Sequence, residues 1–257
     1  MRDDLERHYR HLAATYDDTW GHRPDYVDWM AERIHARLDL RPDHWIGDIG
    51  AGTGLFLRRL MRYASPERPV VCVDPSPDML ERLPRDPRLH PVRATAEDIA
   101  EGRAALPCDR FDALLIKEAV HHFSELERTL AGLADRLAPG GRILIVTLPP
   151  KIDYPLFQTA LDRFAAGQPE PDTVAAALRT AGLRTTVEYD AYTVRIEREL
   201  WHRLVRNRWM SVLSSFSDEE LAAGLAEMAE RYPDEQLVFP DRFAFITGRR
   251  EDAPTDG

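Results

Sequence analysis

The stretch that decides the fold is WIGDIGAGTG, residues 45–54. Its first half is apolar and has the length of a strand. Its second half is a glycine-rich turn that leads into the amphipathic segment TGLFLRRLMRYA. The glycines remove side chains that would keep a ligand away from the backbone, and a following helix turns its unpaired N–H groups toward such a turn. A strand, a glycine turn and a helix in this order predict a ligand-binding turn in a parallel α/β sheet.

The rest of residues 44–148 repeats this alternation of strand and helix. Runs rich in β-branched and aromatic residues alternate with amphipathic segments, which indicates a parallel sheet with helices on both faces. The predicted strands are WIGDIG, VVCVD, LHPVRA, FDALLIK and RILIVTL. The predicted helices are TGLFLRRLMRYA, SPDMLERL and SELERTLAGLADRLAPGG, the last with a C-cap at Pro139-Gly140-Gly141.

Both flanks of this block are more helical. The first 40 residues carry apolar side chains at three- and four-residue spacing. Residues 196–213 predict an amphipathic helix, and the next helix opens with a Ser217-x-x-Glu220 capping box. This helical pair lies between the predicted strands LRTTVEYD and RFAFITGRR, and long insertions in compact domains tend to be functional. The predicted domains are a helical flap (1–43), a core (44–195 and 237–250), a lid (196–236) and a polar tail (251–257).

Composition excludes several classes of protein. The 257 residues include 34 Lys and Arg against 44 Asp and Glu, a net charge of −10, which argues against non-specific nucleic-acid binding. No apolar run reaches the ~20 residues of a membrane-spanning helix, and the amino terminus is too charged for a secretory signal. We therefore expect a cytoplasmic protein without a membrane segment. Cys72 and Cys108 cannot build a disulfide framework and lack metal-ligand spacing, so we predict no metal site.

An acid at the end of the second strand narrows the choice of ligand class. Asp74 follows Gly54 by 20 residues, and a carboxylate there can accept hydrogen bonds from both hydroxyls of a ribose. Leu55 and Leu57 stand where a dinucleotide fingerprint has glycine, and no Gly-Lys-Ser/Thr follows for a P-loop. Asp48 suits a cationic ligand group, such as an amino-acid ammonium. The turn therefore predicts a nucleoside site with no cation placed for a diphosphate.

Residues 44–148 resemble the class I S-adenosylmethionine-dependent methyltransferases. The resemblance rests on DIGAGTG, VCVDPSPDML, ATAEDI, FDALLIKEAVHHF and LAPGGRILI, in this order. It implies S-adenosylmethionine as the cofactor. The predicted fold class is α/β: a Rossmann-like, mostly parallel sheet of seven strands with an N-terminal helical segment and an inserted helical lid.

The resemblance also implies roles for single residues. Asp48 and the glycine turn would hold the methionine part of the cofactor, and Asp74 would hold its ribose. Pro75 and Met79 would pack on the adenine. The other implied contacts are the turn residues Gly50, Ala51, Gly52, Thr53 and Gly54, the adenine-bordering Ala96, Glu97 and Asp98, Lys117 at the methionine end, and Tyr16 as a cover.

Glu118, His121 and His122 are the candidate catalytic residues. They follow the fourth strand, at the edge of the sheet where ligands bind in open α/β folds. Glu118 and His122 are four residues apart and would share a face if the segment were helical. A histidine can take a proton near neutral pH, and the glutamate could steady the imidazolium. The alternative, which we favour for His121, is a histidine that packs or hydrogen-bonds near the cofactor.

The predicted lid helix carries the candidate substrate-binding residues. These are Arg198, Trp201, His202 and Trp209. Its arginines could grip an anionic acceptor, a carboxylate or diphosphate, while the tryptophans form an apolar wall. The alternative, which we favour, is a solvated basic face above an aromatic core contact.

The expected activity is methyl transfer to O, N or C of a small molecule. A lid and a flap would enclose such an acceptor and exclude water. Chains of this plan resemble the ubiquinone/menaquinone-type and secondary-metabolite enzymes. An RNA or protein methyltransferase, a non-methylating cofactor-binding protein and a homodimer are left open.

Overall fold

The computed structural model describes residues 23–252. The strands are β1 (Ile46–Ile49), β2 (Val70–Asp74), β3 (Leu89–Arg93), β4 (Phe111–Lys117), β5 (Leu137–Thr147), β6 (Arg184–Glu197) and β7 (Gln236–Arg249). The α-helices are α1 (Pro24–Leu38), α2 (Leu57–Leu60), α3 (Pro77–Leu80), α4 (Ala96–Ala100), α5 (Leu126–Asp135), α6 (Gln158–Gly167), α7 (Pro171–Thr180), α8 (Arg198–Arg206) and α9 (Asp218–Arg231). Short 3₁₀ turns cover Met61–Tyr63, Val120–His122 and Ser211–Ser215.

The strands form one sheet in the order β3-β2-β1-β4-β5-β7-β6. β1 is parallel to β2 and β4, β2 to β3, and β4 to β5, whereas β7 runs antiparallel to β5. The predicted fold class, a mostly parallel seven-stranded α/β sheet, is confirmed. Strand order reverses between β1 and β4, and ligands of open α/β sheets bind at the carboxyl ends of the strands beside such a switch point.

The chain divides into two compact units. Among the described residues, the larger unit comprises 27–147, 169–189 and 244–252, and the smaller unit comprises 23–26, 148–168 and 190–243. In the larger unit the central strands are apolar and buried along their length, as parallel strands covered on both faces require. A Cβ on Gly47 of β1 would lie 2.7 Å from Leu114 and 3.0 Å from Phe111, so β1 packs on β4 only with glycine there.

Aromatic rings form the core of the smaller unit. Trp201 packs against Trp209, Phe239 and Tyr154, with ring centroids 5.6, 5.0 and 6.0 Å away. The Tyr154 hydroxyl donates to the buried carboxylate of Asp241. This cluster joins α8 to segments on both sides of it in the sequence, so it holds the unit together.

Three helices of the larger unit differ from their prediction. The helix expected over SPDMLERL covers only Pro77–Leu80. The helix expected over TGLFLRRLMRYA is shorter, because α2 spans Leu57–Leu60 and only a 3₁₀ turn continues it. The helix expected to end at Pro139-Gly140-Gly141 stops at Asp135, and β5 begins at Leu137. Gly140 does have a positive φ of 74°, but within β5 rather than at a helix C-cap.

The segment predicted as the lid helix also begins later than expected. β6 continues to Glu197, so α8 covers Arg198–Arg206 instead of residues 196–213. The Ser217–Glu220 capping box of α9 is confirmed. The flap, lid and tail boundaries stay predictions, and residues 253–257 of the tail lie outside the described range. Between residues 23 and 252, no helix has the length and apolar character to cross a membrane.

Candidate functional site

The glycine turn follows β1 and is hydrogen-bonded to the end of β2. Gly50, Gly52 and Gly54 have φ values of +79°, +55° and +79°, a region that L side chains rarely adopt. The N–H groups of Gly50 and Ala51 donate to the Val73 carbonyl at 2.8 and 2.9 Å. The three glycines are therefore required by the backbone, which explains why the turn has this sequence.

The turn is closed on one side and open on the other. A Cβ on Gly50 would come within 2.5 Å of the Ala119 Cβ, so the turn packs against the segment that follows β4. A Cβ on Gly52 would meet nothing within 4 Å. The space in front of Gly52 is where a ligand could approach the backbone.

Asp74 is held rigidly at the end of β2. Its side chain is buried, and its two oxygens accept hydrogen bonds from the Gly52 N–H at 2.9 Å and the Ser76 N–H at 2.8 Å. Burial raises the pKa of this carboxyl, and the two N–H groups oppose the rise in part. Asp74 therefore ties the glycine turn to β2 at the position predicted for a ribose-binding acid.

Asp48 lies in β1, between β2 and β4. It is 6% exposed, and burial raises the pKa of its carboxyl to about 7. The Asp74 carboxylate adds to this rise, and the Lys117 ammonium at the end of β4 opposes it. The Lys117 Nζ lies 5.0 Å from the centre of the Phe56 ring. Two buried carboxylates and one ammonium therefore converge at neighbouring strand ends, where a ligand cation would be stabilised.

This set of groups fits S-adenosylmethionine better than a phosphate ligand. Buried carboxylates repel phosphate, whereas the cofactor carries an ammonium, a sulfonium and ribose hydroxyls. The open side of the glycine turn leaves room for the cofactor against the backbone. The donors and acceptors present thus suit a cationic nucleoside.

The acids after β3 have partners of their own. Asp98 and Thr95 form the capping box of α4, and the Asp98 carboxylate also accepts from Arg103 at 2.8 Å. The Glu97 carboxylate accepts from both the N–H and the hydroxyl of Ser124, at 3.0 and 3.1 Å. The predicted contacts of Glu97 and Asp98 with the adenine stay predictions. Sequence reasoning missed Ser124, since no local pattern marks a partner 27 residues away.

The segment after β4 is not an α-helix. Glu118 has a left-handed backbone with φ +53°, and a 3₁₀ turn covers Val120–His122. Glu118 and His122 therefore do not share an α-helical face, which corrects the arrangement considered from their spacing. Left-handed backbone at a residue other than glycine costs of order 1 kcal/mol or more and is found most often at functional sites. The Glu118 N–H donates to the Val146 carbonyl at 2.8 Å, which holds this conformation against β5.

His121 and His122 lie against each other, with ring centroids 4.0 Å apart. Burial, together with the neighbouring His122, lowers the pKa of His121 to about 3. Burial also lowers the pKa of His122, although part of its ring reaches the surface. Both imidazoles are therefore neutral at pH 7, the form in which a histidine can accept a proton.

Four further cofactor contacts implied by the resemblance lie in different places. Met79 is buried in α3, whereas Pro75 is exposed directly after β2. Tyr16 lies outside the described residues. Ala96 is buried at the start of α4.

The tryptophans of the predicted lid helix belong to the core of the smaller unit. Trp201 is fully buried, and its indole N–H donates to the Pro155 carbonyl at 2.8 Å. Trp209 packs on it. This agrees with the aromatic core contact that the sequence favoured.

Arg198 of α8 has hydrogen-bond partners within the smaller unit. The Arg198 guanidinium donates to the Pro233 carbonyl, and its backbone N–H donates to the Glu235 carbonyl at 2.8 Å. His202 is buried, which lowers its pKa. A role of these residues in substrate binding stays a prediction. In the part of the chain that the structure describes, no group of three or more His, Cys, Asp or Glu side chains could hold a metal ion.

The sequence of the chain is similar to those of known methyltransferases. A family model described as a methyltransferase domain matches residues 48–143, from Asp48 through most of β5. The tRNA U34 carboxymethyltransferase of Pseudoalteromonas atlantica is 24% identical over 67% of the chain and 54% of its own length. The ubiquinone/menaquinone biosynthesis C-methyltransferase UbiE of Vibrio parahaemolyticus is 28% identical over 58% of each chain. The chain thus spans little more than half the length of these relatives.

A solved structure shows the same fold. The putative methyltransferase from an antibiotic biosynthesis pathway of Anabaena variabilis superposes with a TM-score of 0.65 at 20% identity, over 86% of this chain and 96% of that one. The glycine turn, the strand order and the matched domain agree. Residues 48–143 thus match a methyltransferase domain, and the comparisons support the resemblance of this part of the chain to the class I S-adenosylmethionine-dependent methyltransferases.

Proposed function

We propose that the chain transfers a methyl group from S-adenosylmethionine to a small-molecule acceptor. The observation that carries this proposal is the convergence of Asp48, Asp74 and Lys117 beside the open side of the glycine turn. This arrangement lies within the residues that match the methyltransferase domain.

The cofactor would be held from three strand ends. Asp48, once ionised, would stabilise the ammonium of the methionine part. Asp74 would accept hydrogen bonds from the ribose hydroxyls, with its oxygens already oriented by Gly52 and Ser76. Met79 and Ala96 would pack on the adenine.

The bound cofactor would supply an activated methyl group, so the protein must mainly align and desolvate the acceptor. His122 would accept a proton from an acceptor that must lose one. For an acceptor that needs no deprotonation, the same residue would serve as part of a wall of the site.

Charge pairing supports a small acceptor over RNA. Arginines of the smaller unit pair with nearby carboxylates, as in Arg163–Glu220, Arg208–Asp218 and Arg231–Glu227. A net charge of −10 also disfavours binding to a phosphate backbone. The relative named for ubiquinone and menaquinone biosynthesis also favours a small acceptor. We further propose a cytoplasmic location, which suits the free thiols Cys72 and Cys108.

A more specific version of this proposal is that the acceptor is anionic. Arg198 could grip a carboxylate or diphosphate only if its guanidinium left the Pro233 carbonyl. Trp201 would have to become accessible from a fully buried position. We therefore rank a neutral acceptor above an anionic one.

The second candidate function is methylation of RNA, which the relative named as a tRNA U34 carboxymethyltransferase favours. Incubation with methyl-tritiated S-adenosylmethionine and a fractionated cell extract separates the two. We expect the label in the small-molecule fraction. Label in RNA or protein would overturn the small-acceptor proposal, and tight binding of S-adenosylhomocysteine without any label would indicate a non-methylating protein.

A further inference from the structure

We infer that Glu97 is a positioning residue, which through Ser124 holds the turn 118–124 in the place that presents the His121–His122 pair. This inference rests on the proposed function, in which that pair borders the acceptor.

Three contacts attach the turn 118–124 to its surroundings, in addition to the buried side chain of Val120. At its start, the Glu118 N–H donates to the Val146 carbonyl of β5. Next, Ala119 packs against Gly50, where a Cβ would come within 2.5 Å. At its end, Ser124 donates twice to Glu97 on α4. The histidine pair lies between the second and third of these contacts, so loss of the Glu97 bonds would loosen the segment on the carboxyl-terminal side of the pair.

The Glu97 carboxylate is suited to this task. Burial raises its pKa, but hydrogen bonds from its own N–H, from the N–H and hydroxyl of Ser124 and from Thr95 together bring the pKa below its usual value. It therefore stays ionised at neutral pH, and hydrogen bonds to a charged acceptor are stronger than neutral ones. Two such bonds to one residue fix both the position and the orientation of the turn.

The geometry separates this role from a contact with the adenine. An adenine contact would act on cofactor affinity, whereas a positioning role would act on turnover once the cofactor is saturating. A positioning role would also change the mobility of Ser124. This mobility can be measured without cofactor or acceptor. The hydrogen bonds to Ser124 account for at least one oxygen of the Glu97 carboxylate without any ligand.

The experiment compares Glu97→Ala, Glu97→Gln, Ser124→Ala and the double variant Glu97→Ala/Ser124→Ala. Three readouts are taken: amide hydrogen exchange at Ser124 without ligand, kcat at saturating S-adenosylmethionine, and the Kd of S-adenosylhomocysteine. Glu101→Ala is the matched control, because Glu101 caps the end of the same helix and pairs with Arg103 and Arg128 instead of the turn.

We expect Glu97→Ala to speed exchange at the Ser124 amide by about tenfold or more and to lower kcat by about 10- to 100-fold. The Kd should change less than about threefold. Glu97→Gln, which keeps an acceptor oxygen, should recover most of the exchange protection and of kcat. Ser124→Ala keeps the backbone bond and should have a smaller effect. The double variant should resemble Glu97→Ala, because coupled residues are not additive.

Two results would overturn the inference. The first is a weakened Kd for S-adenosylhomocysteine with kcat unchanged in Glu97→Ala, which would make Glu97 an adenine contact. The second is unchanged exchange at Ser124 in every variant. If the wild type methylates no acceptor, the proposed function fails, and the exchange measurement still decides whether Glu97 positions the turn.

Discussion

The two units of the chain bury their carboxylates in different surroundings. In the larger unit, Asp48 and Asp74 lie at the ends of neighbouring parallel strands, and burial raises the pKa of Asp48 to about 7. In the smaller unit, Asp241 accepts a hydrogen bond from the phenol of Tyr154, which belongs to an aromatic cluster.

This difference distinguishes a buried acid that is suited to bind a ligand from one that stabilises the core. A buried acid with a raised pKa is unstable in its charged form and gains most from a cationic ligand. A buried acid bonded to a packed tyrosine contributes to a defined core. We therefore expect substitutions in the smaller unit to act on stability, and those at the strand ends to act on cofactor affinity.

The largest effect should come from Trp201→Ala. Removal of this fully buried indole deletes the centre of the aromatic cluster and its bond to Pro155, so we expect a loss of about 3–5 kcal/mol in the free energy of unfolding. Urea denaturation measures it. Trp29→Ala removes a half-buried indole from α1 and should cost less. Equal losses for the two variants would contradict the central place of Trp201.

The next effect concerns the pH dependence of cofactor binding. The raised pKa of Asp48 means that it is protonated below pH 7 in the cofactor-free protein. A ligand ammonium prefers the ionised form, so affinity for S-adenosylhomocysteine should fall by about tenfold per pH unit below that pKa and level off above it. Calorimetric titration across this range tests the slope.

The variant Asp48→Asn cannot ionise and should remove the pH dependence and weaken binding at high pH. Asp86→Asn, at an exposed ion pair with Arg88, is the matched control and should keep the wild-type slope. If the affinity of the wild type for S-adenosylhomocysteine did not change with pH, Asp48 would not be the residue that contacts the ligand ammonium.

The smallest effect should come from Arg198→Glu. If Arg198 serves packing through the Pro233 carbonyl, its loss should cost about 1 kcal/mol of stability and change the KM of the acceptor less than twofold. Arg206→Glu on the exposed part of the same helix is the control. A large rise in the acceptor KM for Arg198→Glu alone would restore the anionic-acceptor hypothesis and weaken the contrast between the units.

Local patterns were enough to predict the parallel strands and the glycine turn of the larger unit. The strands β1, β2 and β4 are mostly apolar, and the glycines at positions 50, 52 and 54 match backbone that needs positive φ. The position of Asp74 follows from the length of one strand–helix–strand unit.

Contacts between residues far apart in the sequence could not be predicted in this way. The bonds of Glu97 to Ser124 and of Arg198 to Pro233 join residues 27 and 35 positions apart, and periodicity carries no information on such partners. One error was avoidable. Val194 and Ile196 are buried and alternate with exposed Arg195 and Glu197, a period of two that indicates a strand rather than the start of a helix.

The most direct test of the central claim is calorimetric titration of S-adenosylhomocysteine into the wild type, Asp74→Ala and Asp86→Ala. The strand-end site predicts binding by the wild type and a loss of about 1–3 kcal/mol, or roughly 5- to 150-fold in Kd, for Asp74→Ala. Asp86→Ala should bind as the wild type does. Equal affinity of Asp74→Ala and the wild type, or no binding by the wild type, would contradict a cofactor site at the ends of β1, β2 and β4.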